Sequence, residues 1–205
     1  MLISKPPAII KPLSKDLVWD VPNEEGKVYL TFDDGPLPGV TDPILDLLAG
    51  AEAKATFFCI GKNVKNHPIL FQRILDEGHS VGNHTMNHAS GWKANDSTYL
   101  KEVEDCQALT GTRLFRPPYG RIKRRQVKML ASEFRIIMWS IISGDYDSSI
   151  GPEKCYSIVE KHLKPGSIVV FHDSEKAKDT VLDVLPKTLE LMKSNGWTSH
   201  ALEMH

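Results

Sequence analysis

The sequence predicts an α/β fold, a distorted (β/α) barrel of about seven parallel strands in a single domain. Three observations carry this. Short apolar runs alternate with longer segments of helical spacing, the pattern of a parallel sheet covered by helices. About seven such runs occupy 205 residues, whereas eight full strand–helix units usually need about 250. The residues with unusual chemistry cluster where the apolar runs end, and barrels of this class build their sites on those strand ends.

The elements follow in order. Residues 1–26 are rich in Pro and Lys and read as an N-terminal arm, with Val18–Val21 as a short edge strand; residues 27–205 form the barrel domain. Lys27–Phe32 is a strand ending in Asp-Asp-Gly-Pro, and Pro43–Ala51 is a short helix. Ala55–Ile60 is a second strand. Val64–Glu77 reads as one helix, with Ile69, Leu70, Ile74 and Leu75 on its apolar face and Gly78 as its stop. Ser80–Gly82 is a very short strand running into Asn83–His88. Ser97–Leu109 is a helix capped by Asp96 or Ser97. Leu114–Arg116 leads into Pro117-Pro118-Tyr119-Gly120, and Lys123–Ser132 is a basic helix. Arg135–Ser140 is a strand, and Pro152–Leu163 a helix with Pro in its first turn. Ser167–Phe171 is a strand ending in His172-Asp173; Asp179–Ser194 is a helix and Trp197–Leu202 a last strand.

Composition excludes several classes. Hydrophobic residues make up 41% and charged residues 25%, with 25 basic against 26 acidic side chains and a net charge of −1. That balance is too even for a nucleic-acid binder working through a basic surface, and the chain is too apolar for disorder. No run approaches the roughly 18 apolar residues of a membrane span. The first twenty residues lack the apolar core of a secretory signal, so the chain as it stands reads as cytoplasmic, or as extracytoplasmic if a leader has been removed. Cys59, Cys106 and Cys155 are odd in number and widely spaced, which predicts buried free thiols rather than a disulfide framework. Oligomeric state is left open.

Five segments carry chemistry. His84 and His88 are four apart; on a helix their Cβ atoms would lie about 5–6 Å from each other, close enough for both imidazoles to hold one ion. Asp33-Asp34 offers a carboxylate as third ligand. Neighbouring strand residues face opposite ways, so one carboxylate turns to the metal and the other stands beside it as a base toward water. Two His and one carboxylate leave open positions, as a catalytic zinc site requires. Arg116 precedes two prolines that fix the chain direction, and Gly120 permits a close approach; this rigid loop can aim a backbone N–H at an oxyanion, while Arg116 pairs with a carboxylate. Alternation along Ile168, Val170 and His172 points His172 into the barrel mouth as a general acid, with Asp145 as its orienting partner. Trp92, Tyr119 and Tyr146 offer rings for sugars at the rim, and Trp139 reads as core. His67, His162, His200 and His205 read as surface residues and His79 as structural. The basic cluster Arg121, Lys123, Arg124, Arg125 and Lys128 reads as a solvated helix face.

Taken in order, Thr31–Pro36 (TFDDGP), Asn83–His88 (NHTMNH), Arg116–Gly120 (RPPYG), the Trp139 to Asp145 segment and Ile168–His172 (IVVFH) resemble the polysaccharide deacetylase family, the NodB-homology domain of the family 4 carbohydrate esterases. The resemblance spans about residues 27–202. It implies a distorted barrel with one divalent metal, zinc first, with cobalt, nickel or manganese as alternatives. It implies Asp34, His84 and His88 as metal ligands, Asp33 as catalytic base and Arg116 as its ionic partner. The Tyr119 backbone N–H would share in stabilising the oxyanion, His172 would be the general acid and Asp145 would tune it. Pro117, Tyr119, Tyr146 and Trp92 are the candidate substrate contacts. The implied substrate is an acetylated carbohydrate such as a chitooligosaccharide or peptidoglycan, losing N- or O-acetyl groups. One segment departs from the family pattern. Where the family often has Asp-x-x-Asp-Trp, this chain has Ile142-Ser143-Gly144-Asp145-Tyr146. Two other readings share these residues, an amidase acting on a small non-sugar amide and a non-catalytic glycan-binding module.

Overall fold

A computed structural model describes residues 15–203. The chain runs β1 (Leu17–Val18), β2 (Lys27–Asp33), α1 (Thr41–Gly50), β3 (Thr56–Cys59), α2 (Gly61–Asn66), α3 (Pro68–Asp76), β4 (Ser80–Asn83), α4 (Asp96–Thr110), β5 (Leu114–Phe115), α5 (Arg124–Leu130), β6 (Arg135–Ile137), β7 (Ile141–Ile142), α6 (Gly151–His162), β8 (Ile168–His172), α7 (Lys178–Ser194) and β9 (Thr198–Ser199). Every ladder is parallel, in the order β1-β6-β5-β4-β3-β2-β8-β7, with β9 on the beginning of β2. β6 lies next to one end of this path and β7 is the other end, yet only Met138, Trp139 and Ser140 join them. Three residues span little more than about 10 Å, so the sheet must curl until its ends almost meet. This is the expected distorted barrel.

Period-two alternation sets two layers. On β2, Val28, Leu30 and Phe32 face outward and pack under α1, α6 and α7, with Phe32 stacked between Phe57 and Phe171. Tyr29 faces inward, sharing the barrel interior with Phe58, Leu114, Ile137, Ile168 and Leu202. Each such fully buried side chain stabilises the fold by about 1.5–3 kcal/mol relative to exposure. A third cluster of Tyr99, Val103, Phe115, Leu130, Phe134 and Ile136 joins α4 and α5 to β5 and β6.

Several boundaries differ from the sequence expectations. The helix predicted over Val64–Glu77 is two helices broken at His67, whose φ of −130° is not helical; Pro68 disfavours helical backbone in the residue before it and opens α3 instead. Ile69 is 87% exposed, so the buried face of α3 is Leu70 and Ile74. The cap of α4 is Asn95, whose side chain accepts the Thr98 N–H at 2.8 Å, rather than Asp96 or Ser97. The strand predicted over Arg135–Ser140 ends at Ile137 and resumes as β7, because the chain leaves the β5–β6 side to join β8. The edge strand expected at Val18–Val21 is Leu17–Val18, followed by an antiparallel bridge from Asp20 to Ser167. Most of the predicted arm and His205 lie outside the described residues. All three cysteines are free and buried. Among the described residues no helix is long and apolar enough to cross a membrane.

Candidate active site

The strands' C-terminal ends open onto one cleft of about 480 Å³. Its lining includes Asp33, Asp34, His84, His88, Tyr119 and His172, drawn from the ends of β2, β4, β5 and β8. A parallel sheet makes this convergence automatic, since every β-to-α connection leaves from the same rim.

Asp34 lies just past β2 with φ 91°, a backbone region side chains rarely adopt. Its Oδ1 is 3.7 Å from His84 Nε2 and 3.2 Å from His88 Nε2. Asp34, His84 and His88 each present a ligand atom, all within 4.8 Å of one another. The segment of His84 and His88 is not helical; both lie in the loop after β4, where Thr85 and His88 have φ of 64° and 58°. Strained backbone rather than helical spacing brings the rings to 5.1 Å. His84 Nδ1 lies 2.8 Å from the Arg116 carbonyl; donating there fixes the tautomer that leaves Nε2 free as a ligand. Burial holds His84 down to about 4, against the opposing pull of Asp33 and Asp34, so it is neutral as a metal ligand must be. Asp34 Oδ1 is buried and accepts no hydrogen bond. An orphaned carboxylate oxygen facing two imidazole nitrogens fits a divalent cation, since such groups otherwise find partners.

Asp33 faces the barrel interior. Its Oδ1 accepts from Arg116 Nη1 at 2.7 Å, and the guanidinium has no exposed surface. Arg116 also donates to Thr31 Oγ1 at 2.7 Å and to the carbonyls of Met138 and Ile137 at 2.9 and 3.3 Å, and it lies 4.1 Å above the Phe58 ring. Across the cleft, His172 Nδ1 lies 2.8 Å from Asp145 Oδ1, and the His172 backbone N–H donates to Oδ2 at 2.6 Å. Ser143 Oγ donates to the same carboxylate at 3.0 Å. Burial pulls the His172 pKa down, but Asp145, joined by the nearby Asp34 and Asp33, raises it to about 9. Tyr119 sits at φ 61° in a tight turn, 60% exposed, with its ring 4.5 Å from that of His88. Gly120 follows at φ 64°, where a Cβ would come within 2.5 Å of Trp139.

The family sequence model described as "Polysaccharide deacetylase" matches residues 20–133, more than half of the chain. The chain belongs to the polysaccharide deacetylase family. Within it, the chain is 35% identical to a peptidoglycan-N-acetylglucosamine deacetylase of Bacillus cereus, over 88% of each protein. It is 33% identical to a chitooligosaccharide deacetylase of Rhizobium leguminosarum bv. trifolii, over 88% of this chain and 92% of that one. The fold matches a solved peptidoglycan N-acetylglucosamine deacetylase with a TM-score of 0.86 at 31% identity, covering 95% of this chain and 94% of the other.

Against this deacetylase fold, the sequence-predicted residues fall as follows. Asp33, Asp34, His84, His88, Pro117, Tyr119, Tyr146 and His172 line the cleft directly. Arg116 and Asp145 lie behind it, fully buried against Asp33 and His172. Tyr146 meets His172 edge-on with ring centres 5.0 Å apart. Trp92 is the exception. It is 61% exposed and stands outside the cleft, with Arg121 5.5 Å over its ring and 5.6 Å over that of Tyr119. Trp139, expected in the core, is half-buried and forms a cleft wall with Ile142, because β6 ends one residue before Met138 and releases the chain there. Arg121 and Lys176, read as surface or not read at all, also reach the cleft. His79 is structural as expected: its Nδ1 accepts the Ala55 N–H at 3.1 Å, and burial lowers its pKa to about 4.

Proposed function

We propose that this deacetylase hydrolyses the N-acetyl group of an N-acetylglucosamine unit in a glycan chain, with a divalent cation, zinc by preference, held by Asp34, His84 and His88. One observation carries the reading. A carboxylate locked to a buried Arg, an Asp–His–His ligand set and an Asp-backed His share one cleft. A glycan-binding module needs no base–acid pair of this kind.

When bound, the cation polarises the acetyl carbonyl and lowers the pKa of the attacking water. Asp33, held in place by its bond from Arg116 Nη1, takes the proton from that water. Tyr119 lines the cleft in a tight turn, and its backbone N–H, acting as an oxyanion donor, would supply about 2.7–4 kcal/mol to the developing charge. His172, carrying its proton through Nδ1 bonding to Asp145, uses Nε2 to protonate the departing amine. Tyr146, Trp139, Ile142 and Pro117 shape the walls on which the sugar rests. The names of the relatives support N-acetylglucosamine glycans as the substrate class.

Acetate release from N- and O-acetylated oligosaccharides tests this, with zinc-loaded, chelated and Asp33→Asn protein compared. Release from N-acetylated chains should require zinc and fall by about 10²–10⁴-fold in Asp33→Asn. Full activity in that variant, or no release from any N-acetylated glycan by zinc-loaded protein, would overturn the assignment.

A further inference from the structure

Asp173 follows His172 at the end of β8 and is fully buried. Strand alternation turns it away from the cleft, behind the Asp33-Asp34 corner. Its Oδ1 accepts the Gly35 N–H at 2.8 Å and its Oδ2 accepts the Thr41 hydroxyl at 2.7 Å. Thr41 Oγ1 in turn accepts the Leu37 N–H at 2.8 Å, and the Asp173 N–H donates to the Asp33 carbonyl at 2.9 Å. One carboxylate therefore ties both ends of the segment from Gly35 to Thr41. The fit is close enough to dictate residue type: a Cβ on Gly35 would sit 1.8 Å from Asp173 Oδ2.

Two facts show what this clamp acts on. Asp34, immediately before Gly35, holds a φ of 91°, and strained backbone of this kind persists only where its surroundings over-determine it. Among the described residues no cationic side chain forms an ion pair with Asp173. A buried carboxylate satisfied only by neutral donors is expensive, and a turn needing mere packing could be filled by an apolar side chain. We propose that Asp173 is a positioning residue of the metal centre, holding Asp34 in the left-handed conformation that aims its carboxylate at His84 and His88. This rests on the reading of those three residues as metal ligands.

The test is zinc affinity of metal-stripped protein, measured by calorimetry without substrate, beside the melting temperature of the metal-free form. Asp173→Ala should weaken zinc binding by about 10–100-fold, the range for removing a residue that orients a metal ligand. Thr41→Val, which takes away one of the two donors, should weaken it in the same direction by a smaller factor, above about twofold. Asp173→Asn should restore most of the affinity, because its amide oxygen still accepts from Gly35 and its amide nitrogen can donate to Thr41 Oγ1. A merely structural Asp173 would lower the melting temperature and leave zinc affinity unchanged. Zinc binding within about twofold of the parent in both Asp173→Ala and Thr41→Val overturns the proposal, as does an Asn variant no better than Ala. If the Ala variant does not fold, Thr41→Val decides by the same threshold. A parent chain that binds no zinc would sink the metal-site reading itself, and that failure is visible separately because no deacetylation enters the measurement.

Discussion

A guanidinium without exposed surface survives only where its charge and donors are met, and Arg116 meets this by spanning the barrel from Thr31 and Asp33 to the Ile137 and Met138 carbonyls. Its own carbonyl lies 2.8 Å from His84 Nδ1, so one residue braces both Asp33 and His84. The opposite wall is simpler, a His hydrogen-bonded to one carboxylate. His172 is held to about 9 because Asp145, together with Asp34 and Asp33, offsets burial, so it carries its proton throughout the neutral range and loses it as pH rises through about 9. An acid must be protonated to act, so activity should fall along that alkaline limb. In Asp145→Asn burial is left as the largest influence, and the limb should move to lower pH by about 1–3 pH units, with a lower maximum. The measurement is kcat/KM against pH, which reports groups of the free enzyme. An alkaline limb in the same place in both proteins would remove Asp145 from this role. His172 and Asp145 were both legible in the sequence because each ends or follows an apolar run. Asp173 was not, because its partners are Gly35 and Thr41, 138 and 132 residues away.

At the scale of elements, the parallel strands were the readable part, since Val, Ile and Phe runs ending in polar residues admit few other readings. The helices were readable in position and less so at their ends. A helix begins where orphan N–H groups find an acceptor, and in the stretch Asn95-Asp96-Ser97 three side chains compete for that role; Asn95 takes it by accepting the Thr98 N–H at 2.8 Å while Ser97 Oγ donates to the same oxygen. Asn95→Ala should therefore destabilise the protein by about 1 kcal/mol, roughly 2–4 °C in melting temperature, and leave kcat/KM unchanged. Thermal unfolding beside a substrate assay checks both; an equal loss in Ser97→Ala alone would move the cap. The loop at His84–His88 shows the limit more sharply. The four-residue spacing would bring the two rings together on a helix, but here positive φ at Thr85 and His88 creates the approach that a helix turn would have supplied. Left-handed backbone at non-glycine residues leaves no mark on hydrophobic periodicity.

For the whole molecule, the curl of the sheet decides what the site can do. Ordered ladders run from β1 round to β7, with the join left to Met138–Ser140, so the interior holds Arg116 and a few rings while the rim stays open as a cleft. The fold class was legible because alternating strand and helix segments in 205 residues leave few architectures. The irregular join was not, because it depends on where Arg135–Ile142 changes neighbours, a long-range choice of pairing. The proposed ligand set has a global consequence. Asp34 follows β2, and His84 and His88 follow β4, with β3 between them, so a bound cation ties together loops from two strands. Because the unfolded chain does not bring these three residues together, binding should shift the unfolding equilibrium by mass action, about 2.7 kcal/mol at a free zinc concentration 100-fold above Kd. For a chain of this size that corresponds to a rise of roughly 5–11 °C in melting temperature. The rise should disappear with chelator and in Asp34→Ala. Scanning calorimetry with and without zinc measures this directly. A zinc-induced rise that survives in Asp34→Ala would place the cation elsewhere on the molecule and detach it from the cleft.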